Sequence, residues 1–133
     1  MMKHLLIRIF VGSAGGLLIV VGTGLLFQPH GFYAANEIIL GQNPSQLSEI
    51  RAPGALLMVS AIFMLLGVGR ERFLQPALAL IVAIYGSYGL ARLLSLALDG
   101  IPSGSLVQAM VLELTLAGLS LIAWLRFGST VPS

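Results

Sequence analysis

Arg92 and Glu113 are the residues in this chain best placed to do chemistry, because both fall inside otherwise apolar stretches. Arg92 stands about six residues before the end of one stretch and Glu113 about eight after the start of the next, so at about 1.5 Å per helical residue they lie roughly 9 and 12 Å below a shared end. A charge at the centre of a membrane helix costs about 2.5–3.5 kcal/mol on insertion scales, and two opposite charges at one depth offset much of that. The spacing therefore predicts an ion pair. Tyr85, Tyr88, Arg92, Ser95 and Asp99 follow at intervals of 3, 4, 3 and 4 residues, which is one stripe of a helix. Ala109, Glu113, Ala117 and Ser120 form a stripe of small residues around the carboxylate. Glu49 and Arg51 fall at the same end of a third helix. Glu49, Arg51, Arg92, Asp99 and Glu113 are thus expected to form one polar network.

Two chemistries fit this set. One is a salt-bridge network that fixes helix register. The other is a small pocket with Tyr85 and Tyr88 as walls and with Arg92 and Glu113 as recognition or proton-handling groups, since ionisable residues within membrane helices are functional candidates. Known catalytic constellations are missing: there is no GxSxG, HExxH or Walker loop. The chain has no cysteine, and its two histidines, His4 and His30, lie outside the apolar stretches. No catalytic residue, metal site or cofactor is expected, and a bis-histidine haem is excluded. Basic residues form no patch, which argues against nucleic acid.

The elements that must position these residues follow from composition. Of 133 residues, 57% are hydrophobic and 9% charged, against roughly 25% charged in an ordinary soluble domain. Mean hydropathy is +0.98. A soluble domain this apolar would aggregate, so an integral membrane protein is the reading, with the lipid bilayer as its first partner. Apolar stretches cover about 5–27, 52–68, 77–98 and 105–127, each fitting the roughly 17–25 residues of a transmembrane helix. The runs are continuous rather than alternating, which selects helices over a barrel. The expectation is all-α: one four-span domain over residues 1–133, an integral membrane four-helix bundle. The first stretch is too long for a signal peptide and lacks a good cleavage site before Tyr33. Its Gly12 and Gly16 make a small-xxx-small pair for helix packing.

The connections are predicted in turn. Gln28–Arg51 is long and polar, with a short interfacial helix over Phe32–Leu40. Residues 69–73 and 99–104 make tight turns that leave the second, third and fourth helices antiparallel neighbours. Pro53 and Pro76 are placed in or near first helical turns. Trp124 beside Arg126 is an interfacial anchor. Lys3, Arg8, Arg70, Arg72 and Arg126 share one side, so the positive-inside rule puts both termini in the cytoplasm and the polar network in the outer half.

Several runs resemble a known family. Glu49-Ile50-Arg51-Ala52-Pro53-Gly54 is similar to its Glu-x-Arg-x-x-Gly helix opening, and Gly89 to Pro102 to its Gly-Arg-x-x-Ser-x-x-x-Asp-Gly-x-Pro stretch. Glu113-Leu114 and Pro29-His30-Gly31-Phe32 match its fourth-helix glutamate and its Pro-x-Gly-Phe. Ala91 departs from the Gly expected before the Arg. The family is the bacterial four-helix membrane family filed as domain of unknown function 4345. The resemblance covers nearly the whole chain and implies four spans in a bacterial inner membrane, with the five polar residues as its signature. It supplies no activity. The first expectation is therefore a non-enzymatic accessory or scaffold protein, working with a larger membrane protein or a second copy of itself. The alternatives are a small-molecule or lipid binder or transporter using the Arg–Glu pair, and a subunit of a membrane enzyme acting on a lipid or quinone.

Overall fold

Each apolar stretch becomes one long helix, because a backbone surrounded by hydrocarbon must satisfy its own hydrogen bonds. The computed structural model describes residues 2–128. Its elements are α1 (Met2–Phe27), α2 (Pro29–Ala34), α3 (Pro44–Gly69), a single 3-10 turn (Glu71–Phe73), α4 (Leu74–Asp99) and α5 (Gly104–Gly128). No strand occurs among the described residues. Four of these helices are long and apolar enough to cross a membrane. His4 on α1 lies 3.0 Å from Glu71 and edge-on to Phe127 of α5. Both ends of the described chain therefore share one end of the bundle with the α3–α4 turn. We call it the terminal end, and its opposite the loop end.

Local structure departs from the sequence expectation in three places. α3 starts at Pro44 rather than near residue 52. Asn43 caps it, its Oδ1 accepting from the amides of Ser45 at 2.9 Å and Gln46 at 3.5 Å, and Pro44 supplies a first turn that needs no donor. Pro53 consequently sits inside the helix, not in its first turn. The short helix covers Pro29–Ala34 rather than Phe32–Leu40. Pro29 opens it, and the amides of Glu37 and Ile38 close it on the carbonyls of Ala34 and Tyr33, at 3.0 Å each. This is a Schellman closure, and it holds Glu37 at φ 63°, a left-handed conformation that costs a non-glycine residue roughly 1–2 kcal/mol.

Packing is tight along α1–α3 and loosens elsewhere towards the loop end. A Cβ at Gly22 would lie 2.9 Å from the Gly54 carbonyl oxygen and 2.9 Å from the Met58 amide, so the two backbones touch. Gly15 sits against Leu65 and Met64. The expected pair behaves differently: a Cβ at Gly12 would make ordinary contact with Val68 at 3.5 Å, and Gly16 meets nothing within 4 Å. Gly15 and Gly22 lie two turns apart on the face towards α3, and Gly12 and Gly16 flank that face. Buried residues Val11, Ala14, Leu57, Ala61, Met64, Leu74, Ala77, Leu78 and Ile81 form the core. In α4 no residue beyond Gly89 is buried, and in α5 none before Ala117. Two buried hydroxyls pin the helices where they are close: Ser120 Oγ donates to the Leu78 carbonyl at 2.8 Å, and the Tyr85 hydroxyl to the Ala14 carbonyl at 2.6 Å. The bundle is thus solid at the terminal end, while the α4–α5 pair parts from α1–α3 at the loop end.

Candidate functional site

Arg92 and Glu113 meet, as their depths predict. The Arg92 Nε donates to Glu113 Oε2 at 2.8 Å. α4 and α5 are antiparallel across the turn at 100–103, and Gly89 lets them approach: a Cβ there would fall 2.7 Å from the Leu114 side chain. The Glu113 side chain is 14% exposed and that of Arg92 32%. Neither Arg92 Nη1 nor Nη2, nor Glu113 Oε1, has a hydrogen-bond partner among the described residues.

The pair stands in the wall of a cavity of about 290 Å³ formed where the helix pairs part. α1 contributes Leu17, Leu18, Val21 and Leu25, α3 contributes Pro53 and Leu57, and α4 contributes Ile84, Tyr85, Tyr88 and Arg92. Leu106, Ala109, Leu112 and Glu113 come from α5. An engineered apolar cavity of roughly 150 Å³ takes a benzene ring, so this space is large enough for a small organic group or one chain segment. Tyr85 spends its hydroxyl on Ala14. The Tyr88 hydroxyl makes no hydrogen bond to the described residues and lines the cavity.

A roof covers the loop end of this space. Phe32 and Tyr33 of α2, with Asn36 and Ile38, line it. Asn36 fastens the roof to the α4–α5 turn: its carbonyl accepts from Ser103 Oγ at 3.2 Å and its Oδ1 from Ser105 Oγ at 2.9 Å. Its Nδ2 donates to the Phe32 carbonyl at 3.0 Å, which holds the amide in place. Sequence reading missed this clamp. Its polar residues sit in two connections far apart in the chain, and serine and asparagine in turns are ordinary turn chemistry.

The five-residue network does not assemble. Arg51 turns to α1, where Nη1 donates to the Leu26 carbonyl at 3.0 Å, a cation on the negative end of a helix. Asp99 accepts from Ser95 at 3.0 Å, one helical turn away on an exposed face. Glu49 is exposed and makes no ion pair among the described residues. Each finds a nearer partner, or solvent, before it can reach Arg92. Among the described residues no cluster of three or more His, Cys, Asp or Glu is arranged to hold a metal.

The family model for the Domain of unknown function (DUF4345) matches residues 6–124, and the chain belongs to that family. No curated protein and no solved structure matches it.

Proposed function

We propose that this DUF4345 member is a non-enzymatic membrane protein that binds a small amphipathic molecule in the cavity at its loop end. One observation carries the reading: an apolar chamber with a single ion pair and a free phenol in its wall. Ligand sites are concave and mostly apolar, with few polar groups that fix orientation, and the chamber has that make-up. Apolar side chains would hold the body of the ligand, and Arg92, Glu113 and Tyr88 its polar end. The bias of Lys3, Arg8, Arg70, Arg72 and Arg126 to the terminal end supports placing that end in the cytoplasm of a bacterial inner membrane, with the chamber in the outer half. A binder of this kind can serve a larger membrane protein, so the accessory role stands beside it.

Filling the chamber tests the reading. Protein extracted in mild detergent is expected to carry a small molecule visible by native mass spectrometry. Ala109→Phe, at a half-buried wall position, is expected to lower that occupancy by about tenfold with the helical content unchanged. A bare chain in the native sample, or equal occupancy in the variant, contradicts it.

A further inference from the structure

The chamber is closed towards water and open towards the side. Going round the bundle, α1 packs on α3, α3 on α4 and α4 on α5, but α1 and α5 share no extended seam. They touch through His4 and Phe127 at the terminal end. Above that contact, Leu17 and Val21 on α1 and Leu112 on α5 border the chamber from either side of the gap. Leu112 is 45% exposed although it lines the chamber, which places it at a mouth. In a chain whose long helices are apolar enough to cross a membrane, a mouth between two such helices faces acyl chains. The roof at the loop end is fastened by Asn36 to Ser103 and Ser105, so the watery route is the barred one.

The polar groups describe what enters. Arg92 and Glu113 neutralise each other, so a charged group beside them would leave a net charge in a poorly solvated place. Their unused atoms are donors on Arg92 and an acceptor on Glu113, next to the Tyr88 hydroxyl. A hydroxyl, which donates and accepts, satisfies both sides at once. The volume admits one chain segment and not the paired chains of a phospholipid.

Resting on the chamber being a binding site, we propose that it is loaded sideways from the bilayer through the gap between α1 and α5. Its ligand is a neutral, hydroxyl-bearing molecule with a single apolar chain.

The chain's own tyrosines report on this, because all three, Tyr33, Tyr85 and Tyr88, line the chamber. The full chain labelled with 3-fluorotyrosine is placed in deuterated detergent with protonated monoacylglycerol as the probe. Contact-range magnetisation transfer is then read from acyl protons, or from water, to each fluorine. Transfer from acyl protons to Tyr85 and Tyr88 is expected to exceed transfer from water. The fatty-acid anion of equal chain length is expected to need about tenfold higher concentration, roughly 1.4 kcal/mol of binding free energy. Leu112→Trp, which narrows the mouth, is expected to cut acyl transfer several-fold, and Asn36→Ala to admit water to Tyr33 while leaving acyl transfer in place. The native chain and the two probes alone suffice if a variant fails to fold. Transfer from water without acyl transfer overturns the sideways route and leaves the binding reading intact. Equal response to the anion overturns the neutral head. No transfer from any source overturns both readings together.

Discussion

Replacing Arg92 alone by Met should destabilise the protein by about 3 kcal/mol, the usual loss when one partner of a buried ion pair is removed. The reason is geometric. Glu113 has a 14% exposed side chain and its one ion-pair partner among the described residues is Arg92. Without the guanidinium, its charge stays in a wall that is otherwise leucine, alanine and tyrosine. Removing both charges together, as Arg92→Met with Glu113→Leu, should restore most of the loss, because well-packed apolar pairs replace buried ion pairs at little cost or with a gain. Unfolding in mixed micelles, followed by circular dichroism as denaturing detergent is added, measures both. If the single and double variants lose stability equally, the pair is not the coupled unit that the 2.8 Å contact describes.

Gly22→Ala should cost about 2 kcal/mol, in the range for overpacking a close-packed site. The added methyl group would lie 2.9 Å from both a carbonyl oxygen and an amide nitrogen of α3. Backbone atoms cannot swing aside as a flexible side chain can, so α1 and α3 must separate along their whole seam. Gly16→Ala is the control. Nothing lies within 4 Å of that position, and alanine is the better helix former by roughly 1 kcal/mol, so it should be neutral or slightly stabilising. The same micelle titration reads both. Equal effects at the two positions would mean that the Gly22–Gly54 contact does not join the helices as described.

These two sites show how far the sequence could be read. Arg92 and Glu113 were legible because depth in a membrane helix is arithmetic: a rise per residue, a tight turn and a charge that must be met. Glycine spacing was less informative. Gly12 and Gly16 have the familiar interval, but which glycines face a neighbour depends on the rotation of α1, and the tight face carries Gly15 and Gly22. Hydropathy located the four helices and misplaced one start, because Pro44–Arg51 is polar. The signal for that start was present in Asn43-Pro44, a capping residue followed by proline at the first helical position. The expected network over Glu49, Arg51 and Asp99 failed for a physical reason. Formal charge sets only what a residue would accept, whereas Leu26 and Ser95 were closer than Arg92. The chamber itself could not be read at all. It is a place where helices part, so it has no residues of its own, and its roof depends on Asn36 meeting serines near the start of α5.

The central claim is that the Arg92–Glu113 pair is kept for the polar end of a ligand and not for stability. The double replacement Arg92→Met with Glu113→Leu separates the two roles in one sample. Native mass spectrometry of that variant, beside the native chain and after the micelle titration has established that it folds, is the most direct measurement. The account predicts a stably folded protein that emerges bare while the native chain carries its small molecule. A folded double variant that retains the molecule at native occupancy would contradict it.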